Sequence, residues 1–156
     1  MSLLSRQEIS IFDIPEFSFG RKFGLLGNLY FSVLSNRLKH LGIEKNFSIL
    51  VLIDKMGDHC SQKFIADTLH IDKTMMVGVL DHLEKLGFIK RTQNPSDRRQ
   101  YWIQLTEKGK AHMPEIREVV HTLNESVLAG LSPTEAVKFQ KQLQLIYKNI
   151  QTISQS

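Results

Sequence analysis

"IDKTMMVGVLDHLEKLGFIKRTQNPSDRRQYW", residues Ile71–Trp102, contains one change of hydrophobic period, and that change decides the fold. Met76, Leu80, Leu83 and Gly87 recur at i, i+4, i+7 and i+11, the stripe of an amphipathic helix, with Asp72 placed to cap its start and Gly87 to end it. Beyond Gly87, "FIKRTQ" (88–93) and "QYWIQL" (100–105) each alternate apolar and polar residues with period two, and the Asn, Pro, Ser and Asp between them are turn formers. The stretch therefore predicts a helix followed directly by a two-stranded hairpin with Arg98 and Arg99 at its tip. Alternation should set one of Tyr101 and Trp102 against the domain and leave the other on the outer face.

Upstream, "HCSQKFIADTL" (59–69) offers Ser61 as an N-cap and Phe64, Ile65 and Leu69 as the apolar side of a two-turn helix, and "HID" (70–72) reads as a tight turn. A short helix, a turn, a longer helix and a hairpin make a winged helix-turn-helix. In that arrangement the longer helix enters the major groove of DNA and the hairpin tip lies beside the backbone or in the minor groove. A buried helix, "FSILVLIDKM", precedes this unit, with Asn46 as its capping side chain and the Gly57–Asp58 break as its end.

The flanks read as long helices. After an irregular arm that ends at Pro15, Phe23, Leu26, Tyr30, Val33 or Leu34, Leu38 and Leu41 recur at helical spacing between about Phe17 and Leu41, with Gly42 as the stop. Gly20, Gly24 and Gly27 share one face of that helix. Each costs roughly 1 kcal/mol relative to alanine, so the face is expected to meet another backbone or a cavity. Downstream, Thr106 can cap a helix carrying Met113, Ile116, Val120, Leu123 and Val127, which Pro114 is expected to bend unless it lies in the first turns. "SPTE" (132–135) is a capping box that opens a last helix, with Val137, Leu143, Ile146, Tyr147 and Ile150 on its apolar side.

The chain has 156 residues, 42% of them hydrophobic, enough for one fold unit with a helical extension. Its formal net charge is +4, and the segment Lys85–Arg99, with five cations and one acid, carries the same net charge by itself. That concentration is the footprint of phosphate contact. Cys60 is the only cysteine, so no intramolecular disulfide can form, which fits a reducing, cytoplasmic setting. Neither a secretory leader nor a membrane span is expected from the apolar runs. The six histidines lack paired metal-ligand spacing, His112 with Glu115 or Glu118 reading as a solvated helix face. A phosphate loop of Walker type and a GxSxG elbow are both missing, so no catalytic, metal or cofactor residue is expected.

"IDKTMMVGVLDHLEKLGFIKR" and "NPSDRRQYWIQLTEKGK" together resemble the MarR family of winged helix-turn-helix transcriptional regulators, over about Phe23 to Ile150. The wing carries the most specific match: Pro95, Asp97, Arg98, Arg99, Leu105, Thr106 and Gly109 meet the family pattern, and only Asn94 departs, where Asp is usual. The resemblance implies a mainly α fold with a small β-hairpin wing. It implies a winged helix-turn-helix region at 46–105 and a helical dimerisation region at 17–45 and 106–156. It further implies a homodimer on an inverted-repeat double-stranded DNA operator, acting as a repressor that a small aromatic or phenolic effector relieves.

Candidate residues follow from the residues and the resemblance together. Arg98 and Arg99 are the wing contacts, since guanidinium groups on a protruding tip can grip phosphate or enter a narrow minor groove; Asp97 would orient an arginine. A solvated turn with an internal Asp–Arg pair is the bland alternative. Lys73, Thr74, Met75, Val77 and Gly78 face the major groove, because Met76, Leu80 and Leu83 already define the buried stripe. Many family members carry polar or basic residues where Met75, Val77 and Gly78 stand. Apolar side chains there can pack on thymine methyls but make no bidentate hydrogen bonds, which keeps alive a rival reading as a winged-helix protein-interaction module with little DNA affinity. Ser61, Gln62 and Lys63 at the start of the shorter helix can hold a phosphate. For an effector pocket, Phe23, Tyr30, His40 and Met56 are the candidate lining residues. Cys60, beside His59 and a helix start, is either an inert buried thiol, the favoured reading, or a redox-active one.

Overall fold

A computed structural model describes residues 10–43, 45–57, 60–95 and 97–155, with the side chains of Arg98 and Gln155 excepted. The elements, in order, are α1 (Phe19–Arg37), a 3-10 turn (Lys39–Leu41), α2 (Phe47–Met56), β1 (Cys60–Ser61), α3 (Gln62–Leu69), α4 (Lys73–Lys85), β2 (Ile89–Asn94), β3 (Asp97–Leu105), α5 (Glu107–Val127) and α6 (Pro133–Gln155). The fold is mainly helical, with one small antiparallel sheet, and it is a winged helix-turn-helix. The chain divides into two compact units, residues 1–119 and 120–156.

In the first unit the predicted stripe of α4 is the centre of the core: Met76, Leu80 and Leu83 are fully buried. Ile49, Leu50 and Ile53 of α2, Ile65 of α3, and Phe88, Ile89 and Ile103 of the hairpin are buried with them. Gly87, at φ 77, takes the left-handed conformation that turns the chain from α4 into β2. Three bonds then clasp the root of the wing to α5. The Thr106 hydroxyl donates to the Gly87 carbonyl at 2.6 Å, the Thr106 backbone N–H to the Phe88 carbonyl at 3.0 Å, and Lys108 Nζ to the Leu86 carbonyl at 2.7 Å. The Thr106 oxygen also caps α5, accepting the Gly109 N–H at 3.0 Å.

Several sequence expectations change. The hairpin is part of a three-stranded sheet in the order β1-β3-β2, because Cys60 and Ser61 pair with Ile103 and Trp102 of β3. Two residues are too few to show alternation, so β1 leaves no signature in the sequence. Asp97, Arg98 and Arg99 lie within β3 rather than at the turn, and the ladder is irregular between Gln93 and Asn94. Helix α1 starts at Phe19, where Ser18 accepts the Arg21 N–H, and ends at Arg37, the last residues tightening into the 3-10 turn that Gly42 closes. Asn46 stands at the N-cap position of α2 but contributes only its backbone, its N–H donating to Ile43 and its carbonyl accepting from Ile49. On the glycine face of α1 a Cβ at Gly20 would meet Ser18 Oγ at 3.9 Å, and among the described residues a Cβ at Gly24 or Gly27 would have no neighbour within 4 Å. Helix α5 runs on through Pro114. Asp58, His59 and Ser96 lie outside the described residues.

In the second unit, α6 opens with the predicted capping box: Ser132 N–H donates to Glu135 Oε2 at 2.8 Å, and the Ser132 oxygen accepts the Glu135 N–H at 3.4 Å. The hydrogen bonds from Ser132 hold the Glu135 carboxyl below its usual range. The apolar side of α6, Val137, Leu143, Ile146, Tyr147 and Ile150, is exposed along its whole length.

Candidate nucleic-acid interface

Ser61 stands at the start of the candidate interface and has two roles. Its backbone belongs to β1, paired with Trp102, and its side chain accepts the Phe64 N–H at 3.1 Å to cap α3. Gln62 and Lys63 consequently stand in the first turn of α3, next to the sheet. His70, at φ 51, ends α3 in the left-handed conformation, and Asp72 restarts the chain as the N-cap of α4. One carboxylate oxygen of Asp72 accepts both the Thr74 N–H at 2.8 Å and the Met75 N–H at 3.2 Å. Those backbone bonds, Met75 first, hold its carboxyl below the usual range. Lys73, Thr74, Met75, Val77 and Gly78 all face outward from α4, as the buried stripe requires.

Between α3, the start of α4 and β3 lies a groove of about 460 Å³. Ser61, Gln62, Lys63, Lys73, Arg99 and Tyr101 are among its lining residues, joined by Arg91 and Gln100. The structure thus brings together on one concave surface five residues that the sequence nominated separately. Tyr101 is half exposed and opens into this groove, while Trp102 is half-buried on the opposite side of the strand, and so neither ring enters the core. The backbone of Arg98 continues β3; its side chain lies outside the described residues.

Asp97 acts differently from the expectation that it would orient an arginine side chain. Its Oδ1 accepts the backbone N–H of Arg99 at 3.0 Å and its Oδ2 accepts from Gln100 Nε2 at 2.9 Å. It fixes the strand from which Arg99 projects. Arg91 is one of the five cations between Lys85 and Arg99, but α4 claims it: Nη2 pairs with Asp81 Oδ1 at 2.6 Å, Nη1 pairs with Glu84, and its N–H donates to the other Glu84 oxygen at 3.2 Å. A tally of charge along the sequence cannot see this. The acids lie seven and ten residues back, on a helix that the turn at Gly87 folds against β2. Arg91 is therefore a strut between wing and helix, and Lys63, Lys73 and Arg99 supply the positive charge of the groove.

The nominated effector residues are placed as follows. Phe23 stacks on Phe19 at 6.2 Å, Tyr30 meets Phe31 edge-on at 5.8 Å, His40 bonds Glu115 at 2.7 Å, and Met56 is exposed. Among the described residues, cavities of about 460, 310 and 110 Å³ are lined by other residues. Glu115 also meets His112 at 3.4 Å, and its carboxyl is held low, first by the hydrogen bond from His40. Cys60 is fully buried, and burial pushes its thiol up to about 11, away from the thiolate a redox site needs. Among the described residues no helix is long and apolar enough to cross a membrane.

The MarR family model matches residues 44–101, which run from before α2 to the groove-facing end of β3. Similar solved structures cover more than four-fifths of the chain. The transcriptional regulator SlyA is 27% identical over 86% of this chain and 94% of its own, with a TM-score of 0.80. A protein of Listeria monocytogenes assigned to the MarR family, solved in complex with 26mer DNA, is 27% identical over 86% of this chain and 89% of its own, with a TM-score of 0.79. CouR from Rhodococcus jostii RHA1, solved bound to p-coumaroyl-CoA, is 27% identical over 81% of this chain and 90% of its own, with a TM-score of 0.72.

Proposed function

We propose that the chain is a MarR-family transcriptional regulator that binds double-stranded DNA sequence-specifically as a cytoplasmic homodimer and represses transcription from an inverted-repeat operator. The observation that carries this reading is the groove in which Lys63, Lys73 and Arg99 converge with the capped start of α3. A helix N-terminus beside three cations suits a phosphate backbone, and α4 stands next to it with its outward residues turned toward the base edges. Ser61, Gln62 and Lys63 would hold one phosphate run, Arg98 and Arg99 a second or the minor groove, and Lys73, Thr74, Met75, Val77 and Gly78 the major groove. The relative solved with 26mer DNA supports this use of the fold.

Residues 46–105 would form the DNA-binding region, and 17–45 with 106–156 the dimerisation region. Leu26, Leu29 and Val33 of α1 and Val137, Leu145, Ile150 and Ile153 of α6 are exposed in the single chain, leaving an apolar face open on each of the two helices. A second copy of the chain would cover these faces. A small aromatic or phenolic effector would relieve repression, a role supported by the relative bound to p-coumaroyl-CoA.

A salt titration of binding to promoter and random duplexes tests the reading. Neutralising several phosphates makes affinity fall steeply as salt rises, by roughly 0.9 in log–log slope per phosphate contacted. The rival reading, a winged module that binds protein through Met75 and Val77, predicts little DNA affinity at any salt concentration. Sedimentation at micromolar concentration tests the dimer, and a monomer there would refute it.

A further inference from the structure

The outward face of α4 combines three features. Met75 is 65% exposed and Val77 44% exposed, although Met76, Leu80 and Leu83 fill the core without them. Gly78 stands mid-helix, where it is disfavoured relative to alanine, yet a Cβ there would meet nothing within 4 Å. No packing among the described residues requires this glycine. Finally, the acids further along α4, Asp81 and Glu84, are held by Arg91, while Lys73, Lys63 and Arg99 line the groove on the helix's flank. The result is an apolar strip bordered by positive charge.

We propose that this strip reads thymine: Met75 and Val77 pack against C5-methyl groups on the major-groove floor, and Gly78 lets the duplex approach the helix closely. The inference rests on the DNA-binding reading above and names the chemistry its recognition helix selects. Among the groups that the four bases present in the major groove, the thymine methyl is the apolar one. Thioether and isopropyl groups can neither donate to guanine N7 and O6 nor pair with adenine N6 and N7, so contact with that methyl is the discrimination they offer. Flanking cations fit the phosphates on either side of such a site, an arrangement that an apolar protein partner would not reward.

The experiment uses the full chain and the duplex that binds it most tightly out of a random pool. The proposal expects that duplex to be enriched in thymine where α4 docks. Replacing those thymines with deoxyuracil removes only the methyl groups and should weaken binding about fourfold per methyl contacted, the equivalent of roughly 0.8 kcal/mol. The same replacement should have little effect on a Met75→Ala/Val77→Ala variant, whose exposed positions leave the fold intact. Gly78→Ala should raise Tm by a few degrees, as a helix-interior glycine with room for a methyl predicts, yet weaken binding to the selected duplex. Stability and affinity moving in opposite directions distinguishes a contact role from a structural one. Salt-dependent binding that is indifferent to deoxyuracil would overturn the thymine reading and leave DNA binding standing. No salt-dependent binding to any duplex would overturn the proposed function, and this inference with it.

Discussion

Gly109→Ala tests how the wing is held, because the structure leaves no room for a methyl group there. A Cβ on Gly109 would lie 2.2 Å from the Phe88 carbonyl oxygen, 3.2 Å from its carbon and 3.3 Å from Leu105 Cδ2. The nearest obstacle is backbone and cannot rotate aside. Restoring ordinary contact requires the first turn of α5 and the Phe88 peptide to separate by roughly 1 Å or more. That peptide accepts the Thr106 N–H at 3.0 Å, and the neighbouring Gly87 carbonyl accepts the Thr106 hydroxyl at 2.6 Å. A separation of that size stretches both bonds past useful length, at about 1 kcal/mol each. Overpacking costs about 1–3 kcal/mol more, and the helix preference of alanine over glycine returns about 1 kcal/mol. The net loss is about 2–4 kcal/mol, a large share of the roughly 5–15 kcal/mol that stabilises a domain. At about 2–4 °C per kcal/mol for a chain of this size, Tm should drop by roughly 5–15 °C. Thermal and urea unfolding followed by circular dichroism measure it. An unchanged or raised Tm would mean that α5 and the wing root are not packed as described.

The other predictions concern charge and protons. Arg99→Ala should weaken DNA binding and flatten its salt slope by about 0.9, whereas Arg91→Ala should weaken binding with the slope unchanged, because Arg91 spends its charge on Asp81 and Glu84. The exchange Glu84→Arg with Arg91→Glu should recover part of that loss, and a reduced salt slope in Arg91→Ala would show that Arg91 contacts phosphate after all. Cys60 should alkylate slowly near neutral pH and faster only as pH climbs toward about 11; rapid modification at neutrality would contradict its burial. Asp72, whose carboxyl titrates lower in the folded chain than in the unfolded one, stabilises the fold at pH above the ordinary aspartate range and loses that contribution as pH falls through its folded value. Asp72→Ala should therefore melt earlier at neutral pH, with the gap to the parent closing in acid; a constant gap would show that the cap bonds are not what Asp72 contributes.

Much of this architecture is legible in the sequence because single residues write it. Ser61, Asp72, Thr106 and Ser132 each announce a helix start, and the spacing of Met76, Leu80 and Leu83 identifies the outward face of α4 by elimination. What escapes is whatever depends on a partner distant along the chain. The pairing of Cys60 with Ile103 spans more than forty residues and leaves no local period, and Arg91 looks like a free cation until α4 is folded against it. The glycines and exposed leucines of α1, and the apolar side of α6, show the same limit at a further remove. Periodicity marks a face as apolar without saying which molecule covers it.

The double placement of Ser61 has a kinetic consequence. Its backbone is a rung of the sheet and its hydroxyl group is the first tie of α3, so the strand that carries Arg99 and the helix that carries Lys63 share one residue-wide joint. Such a joint leaves the wing little freedom to swing on its own. The entropy lost in setting the wing against the helix pair falls on folding, so the groove would meet the proposed DNA partner already shaped. Association should then be limited by encounter and orientation rather than by a rearrangement of the wing, and differences among operators should appear mainly in how long the complex lasts.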